Sequence, residues 1–137
     1  MTTEVDFAHL REAAREAMNR AYAPYSGFPV GAAGVSASGH IALGCNVENV
    51  SYGLGVCAEV ALVCAMVTGG LGELRAVSVC DADGAILMPC GRCRQVLLEF
   101  GGPGLIIDSP HGPRALVELL PEAFGPDDLA RVRGAQR

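Results

Sequence analysis

The sequence of 137 residues lacks long apolar runs, basic clusters and internal repeats, and each absence excludes a class of protein. The Lys and Arg total of 10 falls below the Asp and Glu total of 15, which gives a formal charge of −5. No basic run stands out before the last seven residues, so no nucleic-acid surface is expected. No apolar run approaches the roughly 18 residues that favour a membrane-spanning helix, so no membrane association is expected. The missing repeats exclude a repeat architecture.

The first ten residues also lack the basic start and apolar stretch of a secretory signal, which predicts a cytoplasmic protein. In that reducing compartment, the six cysteines are expected to serve metal binding or catalysis before disulfides. Half of the residues are apolar, and the length suits one domain with a substantial core. We therefore expect residues 1–137 to form a single domain, with a flexible tail after about residue 129.

Helical and strand periodicities alternate along the chain, which predicts an α/β fold with helices packed on a mixed sheet. Apolar residues at three- and four-residue steps from Phe7 to Ala21 predict a first helix, whose end Pro24 marks. Two extended segments around Ser38-Gly39 predict a β-hairpin. The remaining predicted elements are an apolar, buried helix over 56–68, a strand over 74–82, a helix over 90–100, a strand over 105–108 and a helical stretch over 115–124 that is broken at Pro121.

A carboxylate in an otherwise apolar segment is the first indication of chemistry. Glu59 follows Cys57 by two residues at the start of a predicted helix, where an unpaired buried charge would cost several kcal/mol. A second pair, Cys90 and Cys93, flanks the first turn of another predicted helix. Three sulfurs at two helix starts can hold a tetrahedral zinc and leave its fourth position for water. Glu59 is then placed to exchange protons with that water.

Each of these residues also has a plainer interpretation. Glu59 alone is at least as typical of a first-turn acid favoured by the helix dipole. A single Cys-x-x-Cys motif is equally typical of a redox site or a structural zinc motif. In a non-enzymatic zinc protein, Cys45 would close a four-cysteine site, and the metal would support folding without binding water. The combination of Cys57 with the later pair favours the catalytic interpretation.

Two segments, Cys57-Ala58-Glu59 and Pro89-Cys90-Gly91-Arg92-Cys93-Arg94-Gln95, resemble the zinc-dependent cytidine deaminases, a family of small homotetrameric enzymes that act on free nucleosides. The likeness extends over nearly the whole chain, through AYAPYSGFPVGAA, GCNVENVSYG and LLPEAFGPDDL. It implies a three-layer fold with a mixed sheet of about five strands and helices on both faces. It also implies hydrolysis of the exocyclic amine of cytidine or deoxycytidine in pyrimidine salvage, with release of ammonia.

The resemblance also assigns roles to individual residues. It implies one zinc ion per subunit on Cys57, Cys90 and Cys93, with Glu59 as the proton shuttle. The residues implied to contact the nucleoside are Phe28 against the base, Asn46 and Glu48 at the ribose, Ala58 through its backbone, and Tyr25 and Phe124 from neighbouring subunits of the tetramer. Without the resemblance, these residues would equally fit ordinary core, turn or helix-anchoring positions.

The sequence departs from the family at Val60, where many members have an arginine that can hydrogen-bond a ligand thiolate. A zinc ion held by three thiolates carries a net charge of about −1, so the site requires compensating positive potential. The two helix N-termini supply part of it. Arg94, at its family position, and Arg92, inside the Cys-x-x-Cys turn, are the candidates for the rest.

Two related activities are alternatives to nucleoside deamination. A deaminase of the nucleoside antibiotic blasticidin would keep the zinc and Glu59 but change the substrate, and the pair of Asn46 and Glu48 favours a plain ribose. A nucleic-acid deaminase is disfavoured, because those related to transfer-RNA editing usually have His at the position of Cys57. The acidic balance of the chain would also repel phosphates.

Overall fold

The computed structural model describes residues 4–135 and contains a five-stranded sheet with helices on both faces. The first expectation from the sequence, an α/β fold with a mixed sheet of about five strands, is confirmed. In chain order the elements are α1 (Phe7–Met18), β1 (Gly31–Ser36), β2 (Ile41–Cys45), a 3-10 turn (Tyr52–Leu54), α2 (Ala58–Thr68), β3 (Leu74–Cys80), α3 (Gly91–Gly101), β4 (Ile106–Ile107), β5 (Arg114–Ala115), α4 (Leu116–Leu119) and α5 (Pro126–Ala135).

The strands lie in the order β2-β1-β3-β4-β5. Strand β1 is antiparallel to β2 and β3, β4 is parallel to β3, and β5 is antiparallel to β4. Successive side chains of β3 point to opposite faces, so Ala76 packs with α1, whereas Val77 packs with Leu62 of α2 and Leu97 of α3. The molecule therefore has three layers, with α1 on one face of the sheet and α2 and α3 on the other.

Two glycines let the helices lie directly on the sheet. A Cβ atom at Gly31 of β1 would overlap the backbone of Ala14 in α1. A Cβ atom at Gly44 of β2 would likewise overlap the backbone of Ala58 and Leu62 in α2. The absence of these side chains brings the first turn of α2 against β2, which fixes where that turn presents its residues.

Helix α1 ends earlier than the sequence predicts. Its last residue is Met18, and the predicted continuation to Ala21 is wrong. The chain leaves the helix because Tyr22 pairs with the segment that follows β2: the N–H of Tyr22 donates to Asn46 O, and the N–H of Glu48 donates to Tyr22 O. This pairing places residues 22–28 beside residues 46–48.

The end of the chain also differs from the expectation. Helix α4 has only four residues, and a further helix, α5, runs from Pro126 to Ala135. Proline suits the first position of a helix, and the Asp128 carboxylate accepts from the N–H of Gly125. The residues after 129 continue this helix as far as Ala135, the flexibility expected there stays a prediction, and residues 136–137 lie outside the described range. No helix within residues 4–135 is both long and apolar enough to cross a bilayer.

Candidate metal centre and active site

Three cysteines meet where the N-termini of α2 and α3 come together. Cys57 is the N-cap residue of α2, Cys90 is the N-cap residue of α3, and Cys93 lies in the first turn of α3. Their sulfur atoms all lie within 4.8 Å of one another. A tetrahedral zinc ion with Zn–S bonds of about 2.3 Å needs sulfurs about 3.8 Å apart, so the three thiols fit such an ion after a small closure. Within residues 4–135, Cys45 does not join this group, which leaves the fourth position open.

The three thiols differ in their readiness to lose a proton. The backbone N–H of Cys93, and more weakly that of Arg92, lowers the pKa of the Cys90 thiol. Burial raises the pKa of Cys57 and of Cys93, and the negative charge of Glu59 raises the latter further. A divalent cation would reverse this balance, because metal binding releases the protons of its thiol ligands. The donor set therefore suits a thiophilic cation such as zinc.

Glu59 lies directly beside the sulfurs. Its residue surface is only 5% exposed, and burial raises the pKa of its carboxyl group above the usual range. Its own backbone N–H and the Cys93 thiol oppose that shift by hydrogen bonding to the carboxylate. The charge of Glu59 in turn acts to raise the pKa of Cys57, Cys90 and Cys93, so the carboxylate lies close to all three thiols. A buried carboxyl group with a raised pKa suits both proton uptake and proton delivery.

Asn46 and Glu48, the residues expected at the ribose, both contact the loop that precedes β1. Asn46 Oδ1 accepts from the N–H of Val30 at 2.9 Å, and Asn46 Nδ2 donates to Phe28 O at 2.9 Å. Glu48 Oε1 accepts from the N–H of Tyr25 at 3.0 Å and of Ser26 at 3.1 Å. Glu48 Oε2 accepts from the Ser26 hydroxyl.

These hydrogen bonds hold the loop over residues 25–30 against residues 46–48. The bonds from Ser26 hold the pKa of the Glu48 carboxyl group below its usual range, so this group is charged at neutral pH.

The aromatic residues of this region are largely uncovered. Phe28 is 51% exposed, so it is not an ordinary core residue. The rings of Tyr25 and Tyr52 lie 6.2 Å apart beside a cavity of about 340 Å³ that Glu48 also lines. Phe124 is exposed as well, and its carbonyl oxygen accepts from Gln95 Nε2 at 2.8 Å. Open aromatic rings beside a charged carboxylate can pack against the faces of a planar polar ligand.

The two candidate arginines occupy different environments. Arg94 donates from Nε to Pro89 O and from Nη1 to Leu119 O, each at 2.8 Å, so these two donors bind carbonyl groups and not sulfur. These bonds tie the residue before Cys90 to the end of α4. Burial raises the pKa of Cys57, and the positive charge of the exposed Arg92 side chain opposes part of that rise.

Sequence reasoning missed three of these contributors: Ser26, Gln95 and the carbonyl contacts of Arg94. The serine in the turn before Gly27 was a usable signal, because Ser hydroxyls commonly bond nearby backbone N–H groups. Its bond to Glu48 could not be foreseen, because 22 residues separate the two in the chain. The contacts of Arg94 and Gln95 with the C-terminal segment span 25 and 29 residues.

Three cysteine sulfurs on two helix N-termini, with a buried carboxylate that is not a ligand, define a zinc-dependent deaminase of nucleobases. The chain belongs to the family described as the cytidine and deoxycytidylate deaminase zinc-binding region, whose model matches residues 5–108. The family expected from the sequence and its zinc cofactor are thereby confirmed.

Named relatives agree with this membership. A protein named cytidine deaminase from Mycobacterium tuberculosis is 57% identical over 130 residues, which cover 95% of this chain and 98% of that protein. A crystal structure of a mutant cytidine deaminase from the same organism has a TM-score of 0.90 and 56% identity, over 91% of this chain and 99% of that chain. The crystal structure of cytidine deaminase from Mycobacterium leprae has a TM-score of 0.85 and 49% identity, over 87% and 100%.

Proposed function

We propose that the chain hydrolyses cytidine and deoxycytidine to uridine and deoxyuridine, with release of ammonia, in pyrimidine salvage. The observation that carries the proposal is the position of the buried Glu59 carboxylate beside three sulfurs that can share one metal ion. Relatives that cover almost the whole chain are named cytidine deaminase, which supports this substrate. The pair of Asn46 and Glu48 at the same loop supports a ribose over the modified sugar of a nucleoside antibiotic.

Glu59 is the group that moves protons in this reaction. Cys57, Cys90 and Cys93 would hold the zinc ion, which would act as a Lewis acid and activate water for attack on the ring carbon bearing the amine. The Glu59 carboxylate takes a proton from the attacking water and gives it to the neighbouring ring nitrogen. The second proton of that water then passes from the added oxygen through Glu59 to the exocyclic amine as the carbon–nitrogen bond breaks, so ammonia leaves and a carbonyl group remains. Burial of Glu59 raises the pKa of its carboxyl group, which makes the carboxylate a stronger acceptor for the proton of the water.

The loop contacts leave hydrogen-bonding capacity for the sugar. An ionised carboxylate offers about four acceptor sites, and the loop fills three of those of Glu48. The amide of Asn46 retains one N–H and one lone pair beyond its two loop bonds. We assign these free positions to the ribose hydroxyl groups, the Phe28 ring to the face of the base, and the backbone of Ala58 to the base edge.

We further propose that four copies of the chain assemble and complete one another's sites. The outer side of α2 carries an uncharged stripe outside the core cluster, in which Val60 and Ala61 are partly exposed and Cys64, Val67 and Thr68 are exposed. Tyr52 is 81% exposed beside the cavity at Glu48, and Phe124 is exposed two residues before α5 begins. Exposed apolar surface of this kind marks interaction sites. Light scattering of the purified protein should give the mass of four 14.1 kDa chains.

The six cysteines are all unpaired in the structure, and three of them must stay reduced to hold a metal ion. We therefore propose that the protein works in a reducing compartment, the cytoplasm. Recovery of the protein mainly from exported fractions of its native cells, with its cysteines in disulfides, would contradict this location.

The role of Glu59 is tested by Glu59→Gln, which keeps the shape of the side chain but removes its proton-accepting oxygen. We expect kcat on cytidine to fall by about a thousandfold, because general acid–base catalysis contributes factors of that order. Zinc content, measured by atomic emission, should remain at one ion per chain, since Glu59 is not a ligand. Glu99→Gln, an exposed acid on α3, is the matched control and should retain full activity.

Two results would contradict the proposal. The first is the absence of cytidine and deoxycytidine turnover by the zinc-loaded wild-type protein. The second is a Glu59→Gln variant that keeps its activity.

We propose that Arg92 supplies the positive charge that Val60 does not provide. Its charge opposes part of the rise that burial causes in the pKa of Cys57, whereas two donors of Arg94 bind carbonyl groups. We expect Arg92→Ala to shorten the half-life of zinc loss to a chelator by several-fold, because the thiolates lose a compensating charge. Arg131→Ala on α5 is the control and should match the wild type. Equal zinc loss in the two variants would show that Arg92 does not act on the site.

A further inference from the structure

Ser26 connects two residues to which the proposed function gives different parts of the substrate. Its hydroxyl group donates to Glu48 Oε2 and accepts from the N–H of Phe28 at 3.0 Å. Glu48 is assigned to the sugar, and Phe28 is assigned to the base. Ser26 is itself assigned to neither part of the substrate, yet it hydrogen-bonds both Glu48 and Phe28.

The backbone of Phe28 is held on both sides. Ser26 takes its N–H, and Asn46 Nδ2 donates to its carbonyl oxygen at 2.9 Å. The ring itself is 51% exposed, so core packing does not fix its position. The direction in which the ring projects consequently depends on these two backbone bonds. Of the two side chains that make them, Asn46 is itself assigned to the sugar, and Ser26 binds Glu48, which is also assigned to the sugar.

We propose that Ser26 is a positioning residue that couples recognition of the ribose at Glu48 to packing of the base on Phe28. This inference rests on the proposed deamination of nucleosides and specifies how that site is organised. Loss of the hydroxyl group leaves Glu48 Oε2 without a donor and frees the backbone of Phe28 at one end. The substrate then has to order the loop when it binds, which weakens binding, whereas Glu59 and the three sulfurs stay in place.

The test compares steady-state kinetics on cytidine for the zinc-loaded wild type, Ser26→Ala, Ser26→Thr and Ser38→Ala. We expect Ser26→Ala to raise KM about tenfold and to change kcat by less than about threefold, which is the size expected for losing hydrogen bonds that position a charged group. Ser26→Thr keeps the hydroxyl group and should restore KM to near the wild-type value.

Ser38 is the matched control, because its hydroxyl group also bridges two partners in a turn, Ser36 and His40. That turn joins β1 to β2 at the end of the hairpin opposite to Cys45 and Asn46. Ser38→Ala should therefore leave KM unchanged.

A double-mutant cycle with Glu48→Gln tests the coupling itself. If Ser26 acts through Glu48, Ser26→Ala should raise KM by a smaller factor in the Glu48→Gln background than in the wild type. An equal factor in both backgrounds would overturn the coupling. A fall in kcat as large as the rise in KM, or a Ser26→Thr variant as impaired as Ser26→Ala, would overturn the positioning role.

The proposed function and this inference fail in different ways. A wild-type protein without nucleoside turnover contradicts the function, whereas an active wild type with an unaltered Ser26→Ala variant contradicts only the inference. Should Ser26→Ala fold poorly, the Ser26→Thr comparison still decides the matter, because the threonine variant keeps the hydroxyl group that the inference requires.

Discussion

At the scale of single residues, Asp108 shows how the face of the sheet opposite the metal site is held. Its side chain is fully buried and accepts from Arg11 Nε at 2.7 Å and Arg11 Nη2 at 2.8 Å. The hydroxyl group of Ser78 in β3 donates to it at 2.7 Å. This bidentate pair joins α1 to the ends of β3 and β4, and the same hydrogen bonding raises the pKa of Arg11.

We expect Asp108→Ala to lower the free energy of unfolding by about 2–4 kcal/mol, because it leaves the buried Ser78 hydroxyl group and the guanidinium of Arg11 without their acceptor. The value lies below that of a fully buried pair, because the Arg11 side chain is 37% exposed and can recover bonds to water. Urea unfolding of the zinc-loaded protein measures this loss.

The control for Asp108→Ala is Glu118→Ala, which breaks the exposed pair with Arg114 and should cost less than about 1 kcal/mol. Activity per folded molecule should stay unchanged in Asp108→Ala, because α1 and the metal site lie on opposite faces of the sheet. Equal losses of stability in the two variants would contradict the importance of the buried pair.

At the scale of secondary-structure elements, the metal site depends on two helix starts. Cys57 and Cys90 are N-cap residues in extended conformation, with ψ of 155° and 170°, so each sulfur projects from the point where the chain turns into a helix. The free N–H groups at the starts of both helices favour negative charge there, and at α3 those of Cys93 and Arg92 act on the Cys90 thiol. Gly44 then decides where the first turn of α2 lies, because it allows the backbone of Ala58 to contact β2.

Much of this arrangement could be predicted from the sequence. The hairpin, α2, β3 and α3 follow from local apolar periodicity and from the glycines that end them, and the structure confirms each of these elements. The three ligands could be proposed because Cys90 and Cys93 share one helical turn and Cys57 opens another helix. Local sequence patterns were therefore sufficient to predict the elements that are determined by residues close together in the chain.

The remaining features depend on contacts between distant segments. Helix α1 ends at Met18 because Tyr22 pairs with residues that follow β2, and no local signal announces that pairing. Strand β5 has only two residues and exists through its register with β4. The hydrogen bond between Ser26 and Glu48 also depends on distant segments, since it joins the loop before β1 to the segment after β2. Such features need the tertiary structure, because the sequence alone does not specify which turns meet.

At the scale of the whole molecule, the outer face of α2 is apolar and exposed, which is not expected of a protein that works as a single chain. The sequence predicts a helix that is buried all round, yet Cys64 and Val67 are exposed in the structure, with Val67 at 60%. The buried face is occupied by Leu62, Val63 and Met66, which belong to the core. Burial of the second apolar face by other copies of the chain would satisfy the pattern that the sequence predicts.

This explanation is tested by Val67→Arg. The substitution places a charge on the uncharged stripe of α2, where it should prevent close association but cost the single chain little, because the site is already open to water. We expect the mass measured by light scattering to fall below that of the proposed tetramer. If Tyr25 and Phe124 complete the neighbouring sites as we propose, activity should fall with the mass, while the zinc content stays unchanged.

Val132→Arg is the matched control for Val67→Arg, since Val132 is also an exposed valine on a helix but lies between Arg131 and Arg133, where a further positive charge resembles its surroundings. It should retain both mass and activity. A Val67→Arg variant that keeps the wild-type mass would show that the α2 stripe is not the contact between copies. A variant that dissociates yet keeps full activity would show that each chain completes its own site, and the proposed roles of Tyr25 and Phe124 would then have to be abandoned.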